Sequence, residues 1–407
     1  MNHKTKNIRV PYALAVYGKE EIDAVNRVLK NPTKISPGFH TKQFERKIAG
    51  VFGKRYGIMV NSGSSANLLA FEILNLPKGS EVITPVLTFS TTLAPILQKG
   101  LVPVFADVQQ GNYLIDIDQV EKLITKKTRA LMIPSLIGSI PDMVRLKKIA
   151  KRHNLWLVED SCDTIGARFA GKPTGSYSDI STTSFYASHI ITAGGGGGMI
   201  CFNDDQLAKR ALVTANWGRQ STLFGLYEKS EEIKKRFAGK LAGDTYDAKF
   251  IFSTIGYNFQ PLEMSAAFGL EQLKRLPVFA ERRRRNFAEL KNFFKTYEKF
   301  FILPKQHPKA ITSWLAFPLT LRKGAGFTRY EITKFLEEQN IQTRPIFTGN
   351  ILRQPGFEHI KHRGMKSYPN ADYIMKNAFL IGCHQGLEKK HLTHLKETFR
   401  TFLKRYQ

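Results

Sequence analysis

Ser184-Phe185-Tyr186-Ala187-Ser188-His189 runs on through Ile190-Ile191-Thr192-Ala193 into five consecutive glycines, Gly194 to Gly198. Short apolar runs flank this stretch, Thr182–Tyr186 before it and Met199–Phe202 after it. Runs of that length bounded by turn residues read as strands. The glycines between them permit backbone conformations that other residues avoid. Working outward, further strands are predicted over Gly57–Asn61, Glu81–Pro85, Val102–Phe105, Ala130–Pro134 and Leu155–Glu159. Helical patterns lie between them at Ser65–Leu74, Ile117–Ile124 and Asp142–His153. This alternation predicts an α/β protein whose mainly parallel sheet is covered on both faces.

Residues 203–250 are more polar and less regular, and a loop or helical excursion is expected there, including lysine-rich Glu228–Lys240. Beyond this the pattern changes to long helices with a few strands, over Val278–Phe294, Trp314–Leu321, Arg329–Gln339 and Lys389–Tyr406. The expected division is a large domain over 1–275 and a smaller α+β domain over 276–407, with the boundary at Leu276-Pro277.

Composition narrows the function. Hydrophobic residues make up 42% and charged residues 23%, as in ordinary globular proteins. No apolar run approaches the ~20 residues of a membrane helix. The opening residues carry no apolar segment that would mark a secretory signal. Three cysteines, Cys162, Cys201 and Cys383, form neither a disulfide framework nor a zinc pattern. A reducing, cytoplasmic setting is expected. The net charge of +27 invites a nucleic-acid reading, but the basic residues spread along the whole chain. The densest cluster, Arg282-Arg283-Arg284-Arg285, precedes Phe287, Leu290 and Phe294 at helical spacing and is expected to be a solvated helix face.

Three stretches carry chemistry. Asn61-Ser62-Gly63-Ser64-Ser65-Ala66-Asn67 follows a strand and opens a helix, where free backbone N–H groups attract anions. An ordinary helix cap uses the same residues. Val158-Glu159-Asp160-Ser161-Cys162-Asp163 ends an apolar strand with a carboxylate, and a buried carboxylate needs a partner. His189 can move a proton near neutral pH.

These stretches, with Val10-Pro11-Tyr12, Gly18-Lys19-Glu20-Glu21-Ile22, Ser36-Pro37-Gly38 and Gly256-Tyr257-Asn258-Phe259-Gln260, occur in an order that resembles the DegT/DnrJ/EryC1/StrS sugar aminotransferase family over nearly the whole chain. The resemblance implies a type I pyridoxal phosphate-dependent aminotransferase fold. It implies that Ser64, Ser65 and Ser184 hold the cofactor phosphate, that Phe89 stacks on the ring, and that Asp160 meets the pyridine nitrogen. Asp163 stands where many members carry a glutamine beside the ring hydroxyl; a helix-capping carboxylate is the other reading. Asn258 would reach the phosphate of a neighbouring subunit, giving a homodimer with shared sites. Most members bind the cofactor covalently through a lysine five residues after the serine. Here that residue is His189, and imidazole has no primary amine.

Histidine at this position resembles the branch of pyridoxamine phosphate-dependent 3-dehydratases acting on nucleotide-linked 4-keto-6-deoxyhexoses. Thr343-Arg344-Pro345-Ile346-Phe347-Thr348-Gly349-Asn350 also looks like that branch. It implies substrate contacts from Arg219, Arg344 and Asn350, since arginine suits phosphate. One arm of the branch carries an iron–sulfur cluster with a Cys-x-Cys pair after Asp-Trp-Gly-Arg. This chain has Asn216-Trp217-Gly218-Arg219 followed by Gln220-Ser221-Thr222, without cysteine. The cluster-free arm, typified by GDP-4-keto-6-deoxymannose 3-dehydratase, fits better. It implies recharging by glutamate and a place in lipopolysaccharide deoxysugar synthesis. An iron–sulfur dehydratase, a sugar aminotransferase tolerating histidine, and a noncatalytic cofactor- or nucleic-acid-binding homologue are the alternatives. The sequence predicts no metal site apart from that cluster.

Overall fold

The computed structural model describes residues 8–224 and 232–407. Seven strands form most of a large sheet: β1 (Tyr56–Val60), β2 (Glu81–Pro85), β3 (Val102–Ala106), β4 (Thr128–Pro134), β5 (Trp156–Asp160), β6 (Ile180–Ser184) and β7 (Gly198–Phe202). Their spatial order is β1-β7-β6-β5-β4-β2-β3, and a short strand, Arg363–Gly364, extends the edge beside β3. Only β7 runs against its neighbours; the other pairings are parallel.

Alternation along the central strands explains the two covered faces. Ala130, Met132 and Val158 join one apolar cluster, while Leu131, Ile133 and Leu157 join another on the opposite face. Successive strand residues point to opposite sides, so a sheet buried on both faces is apolar throughout. Helices Gly63–Leu74 and Ser90–Gln98 pack on the first face, and Ile117–Leu123 and Met143–Arg152 on the second.

A four-stranded antiparallel sheet, in the order Phe301–Ile302, Phe317–Leu321, Ala378–Ile381, Thr343–Pro345, lies C-terminal to these elements. Helix Glu263–Lys295 connects the two sheets and runs unbroken through Leu276-Pro277. The N-terminal segment returns to the smaller sheet: Val10 N–H donates to the Asn340 carbonyl, and the Pro11 carbonyl faces His384 Nε2 at 3.0 Å.

One expectation needs correction. The Arg282–Arg285 cluster is not wholly a solvated face: Arg282, Arg284 and Arg285 are exposed, but Arg283 is fully buried. Over residues 203–250 the expected helical excursion is helix Asp205–Ala215, and a short hairpin pairs Gly239–Leu241 with Asp244–Tyr246. Of the lysine-rich stretch Glu228–Lys240, residues 228–231 lie outside the described residues. Among the described residues, no helix is long and apolar enough to cross a membrane.

Candidate active site

The parallel strands β4, β5 and β6 end together, with Pro134 beside Asp160 and Asp160 beside Thr182. Ligands in sheets of this kind gather beyond the C-terminal strand ends. A cavity of about 450 Å³ opens there. Ser64, Phe89, Asp160, Asp163, Ser184, His189 and Arg344, all singled out from the sequence, line it.

One end of the cavity is the start of helix Gly63–Leu74. Ser62 caps it, its Oγ accepting from Ser65 N–H at 3.0 Å. Ser65 Oγ also turns to Ser62, at 3.0 Å, so this hydroxyl serves the cap and Ser65 is not among the lining residues. Ser64 Oγ donates to Thr91 Oγ1 at 2.9 Å. Gly63 is needed for close approach. A Cβ there would sit 2.6 Å from Ser184 Cβ and 3.0 Å from Cys162 Sγ. The helix start, Ser64 and Ser184 thus bring hydroxyls beside free backbone N–H groups, a setting that suits anions.

Asp160 lies on the cavity floor and is spanned by donors. Its Oδ2 accepts from Asn67 Nδ2 at 2.9 Å and Thr92 Oγ1 at 2.7 Å, and its Oδ1 from Cys162 N–H at 3.2 Å. Asn67 is locked in turn, because its Oδ1 accepts from Thr182 Oγ1 at 2.6 Å. Phe89 stands at the rim, half exposed, edge-on to Phe347 with centroids 5.9 Å apart.

His189 borders the same floor. Its Nδ1 is sealed from solvent, lies 3.5 Å from Asp163 Oδ1, and has no hydrogen bond to any described residue. Burial holds the imidazole down to about 4, partly offset by Asp160 and reinforced by Arg283. Burial pushes the Asp163 carboxyl up to about 7, against the pull of the Ile137 N–H, and Asp160 adds to the rise. The loop that presents His189 is tied back on itself. The Phe185 carbonyl accepts from Ala193 N–H and Thr192 Oγ1, and Phe185 N–H donates to the Gly197 carbonyl. Gly194, Gly195 and Gly197 take positive φ of 73°, 98° and 105°, which accounts for much of the glycine run.

Arg344 is exposed at the mouth, its Cζ 5.8 Å from the Tyr12 ring centre. Asn350 is elsewhere: it is buried, donates to Asp372 Oδ1 at 2.7 Å and caps the turn at Ile351–Arg353. Arg219 and Asn258 also lie off the cavity. Arg219 packs on Trp217, Phe250 and Phe252, with ring centres 4.8, 5.8 and 5.9 Å from Cζ. Asn258 is exposed on a strip bridged to Asn216, near Ile255, which is 94% exposed.

Sequence reasoning left Tyr12, Asn67, Thr92, Cys162 and Leu315 without roles, yet all line the cavity. Asn67 was findable, since it sits one helical turn after Gly63 and so shares its face. The donors around Asp160 and the hydroxyl-rich helix start fit a phosphorylated pyridine cofactor of the kind the resemblance implies. Among the described residues, no lysine lines the cavity. Among the described residues, no three His, Cys, Asp or Glu side chains group to hold a metal ion.

Comparison with known proteins shows the family. Residues 16–400 match the DegT/DnrJ/EryC1/StrS aminotransferase family. Lipopolysaccharide biosynthesis protein RfbH of Salmonella typhimurium is 38% identical over 378 residues, spanning 90% of this chain and 86% of that protein. GDP-4-keto-6-deoxy-D-mannose 3-dehydratase of Yersinia pseudotuberculosis is 34% identical over 388 residues, spanning 93% and 95%. A solved GDP-4-keto-6-deoxymannose-3-dehydratase with a trapped PLP-glutamate geminal diamine superimposes with a TM-score of 0.85 at 30% identity, covering 96% of this chain and 99% of that one. The two-sided, mainly parallel sheet is that of the pyridoxal phosphate-dependent aminotransferase fold, and the chain is a member of the DegT/DnrJ/EryC1/StrS family.

Proposed function

We propose that this chain is a pyridoxamine phosphate-dependent 3-dehydratase acting on a nucleotide-linked 4-keto-6-deoxyhexose, in lipopolysaccharide deoxysugar synthesis. The observation that carries the reading is His189, an imidazole lining a cavity that no lysine among the described residues lines. When bound, the cofactor supplies an amine for the sugar ketone and a ring that accepts electrons from the adjoining carbon. Asp160 keeps the ring nitrogen protonated with oxygens already oriented by Asn67, Thr92 and Cys162. The helix start at Gly63, with Ser64 and Ser184, holds the phosphate. With no lysine among the described residues to tether it, the cofactor would be held by these contacts. His189, neutral through burial, accepts a proton from a carbon acid in the cavity. Arg344 at the mouth meets the substrate's phosphates. Asn258 and Arg219, placed on the surface, serve the cavity of a second subunit in a homodimer.

Two finer points belong to the same reading. Glutamate would serve as the amino donor, in keeping with the PLP-glutamate geminal diamine trapped in the solved relative. The chain works without an iron–sulfur cluster, because such a cluster takes about four protein ligands and only three cysteines exist, two of them buried apart from the cavity.

The test is incubation of the protein and pyridoxamine phosphate with a panel of nucleotide 4-keto-6-deoxyhexoses and glutamate, read by mass spectrometry. Loss of one oxygen from the sugar without retained nitrogen is expected. Nitrogen retained on the sugar would make the chain an aminotransferase instead. Cluster absorbance after anaerobic iron and sulfide reconstitution, with turnover only then, would overturn the cluster-free assignment.

A further inference from the structure

The wall of the cavity nearest the smaller sheet hides a cation. Arg283, fully buried on helix Glu263–Lys295, donates from Nε to Gln385 Oε1 at 2.6 Å. Its Nη1 donates to the carbonyls of Trp314 at 3.1 Å and Leu315 at 2.9 Å, and Nη2 has no partner among the described residues. Trp314 is held in a left-handed conformation, φ 28°. From this turn Leu315 N–H donates to the Ile137 carbonyl at 2.7 Å. Ile137 is also left-handed, φ 62°, a rare state for a β-branched residue. Gly138 after it packs so tightly on Trp314 that a Cβ would contact the Trp314 backbone. The strained turn aims Ile137 N–H at Asp163 Oδ2, 2.8 Å away. The other carboxylate oxygen then faces His189 Nδ1. Strain of this kind persists only where the surroundings over-determine it.

We infer that Asp163 is a positioning residue for His189, holding the proton on Nδ1 and leaving Nε2 as the basic atom, with Arg283, Leu315 and Ile137 setting its orientation. This rests on the proposed role of His189 as the base. Nδ1 is sealed from solvent while His189 lines the cavity, so Nε2 is the nitrogen left to meet a ligand. The 3.5 Å contact is long, as such contacts often are before substrate tightens them. In the step itself a proton leaves a carbon of the ligand, the bonding pair stays with the ligand, and Nε2 gains the proton. The positive ring is then offset by the Asp163 carboxylate. The charged and titratable groups around the pair are Asp160, Arg283, Tyr12 and Cys162. The last two stay neutral, since burial raises both. Arg283 draws both Asp163 and His189 downward, but burial leaves Asp163 raised to about 7, so the pair is a carboxylate beside a neutral imidazole above that pH.

Asp163→Asn separates this role from a merely structural one. Ile137 N–H still needs an acceptor, so the amide oxygen takes that place and the NH₂ turns toward His189 Nδ1. Nδ1 must then accept, and the ring proton moves to Nε2. Long-range ¹H–¹⁵N NMR of the full chain with labelled histidine, in mildly alkaline solution and without cofactor, reads the tautomer; His189→Gln assigns the signal. The expected result is Nδ1–H in the wild type and Nε2–H in Asp163→Asn. Turnover should fall on the order of 100-fold or more. Nε2–H in the wild type, or the same tautomer in both proteins, overturns the inference. Arg283→Gln, which keeps donors but removes the charge, should raise the His189 titration midpoint; an unmoved midpoint removes Arg283 from the relay. The NMR needs no turnover, so a flipped tautomer in a protein that releases no deoxysugar would defeat the proposed function and leave this inference standing.

Discussion

Replacing Asp160 by asparagine tests the floor of the cavity at the level of single hydrogen bonds. The groups on this carboxylate are donors: Asn67 Nδ2 and Thr92 Oγ1 on one oxygen, Cys162 N–H on the other, and the Cys162 thiol besides. An amide must place its NH₂ against one side. Turned toward Cys162, it opposes a backbone N–H that cannot reverse. Turned the other way, it opposes Asn67, whose amide cannot flip without abandoning Thr182 Oγ1. Either way a buried donor is left unmet, at a cost of about 1–3 kcal/mol. Denaturant unfolding of the cofactor-free protein should show that loss. Thr92→Val, which removes one donor and creates no donor–donor contact, should cost about 1 kcal/mol and serves as the control. Spectroscopic titration with pyridoxal phosphate should show affinity lowered by about ten- to a hundredfold, since a charge-assisted bond to the ring nitrogen is lost. An Asp160→Asn protein as stable as wild type and binding the cofactor equally well would refute both the donor accounting and the assignment.

Three other outcomes are expected. Gly63→Ala drives a methyl into Ser184 Cβ, which the strand holds in place, so stability should fall by about 1–3 kcal/mol and phosphate-ester binding should weaken, as read by calorimetry. Asp163 is raised to about 7, so the folded state keeps a proton the unfolded chain has released; its contribution is present at low pH and fades as pH rises toward 7. Asp163→Asn lacks that contribution, so its stability relative to wild type should climb across this window by up to about 1.4 kcal/mol per pH unit, measured by denaturant unfolding. Mixing an inactive His189 variant with an inactive Asn258 variant should restore turnover if Asn258 serves the second subunit's cavity; no recovery on subunit exchange would count against a shared site.

The strands were legible because each is a short apolar run, and period and turn residues are local properties. Glu81–Pro85 matched to the residue, and β1, β3, β4, β5 and β7 within two residues at either end. The strand at the head of the histidine loop was placed two residues late. The apolar run continues through Phe185 and Tyr186, but the Phe185 carbonyl is claimed by Thr192 and Ala193, so β6 ends at Ser184. Helix Glu263–Lys295 was foreseen only in its second half, since Pro277 suggested a boundary that the helix runs through.

The sequence by itself determined the strand–helix alternation, the hydroxyl-rich helix start, the carboxylate closing β5 and the histidine where an amine would otherwise stand. Each is a local pattern, set by residues a few positions apart. Only the tertiary structure decided which way a side chain pointed when its partner lay far along the chain. It turned Arg283 inward while its three arginine neighbours stayed in water. It bent Ile137 against its conformational preference, so that a backbone N–H could pin Asp163 beside His189. A buried donor or charge is satisfied by whatever the fold brings within about 3 Å, and distance along the sequence does not encode that.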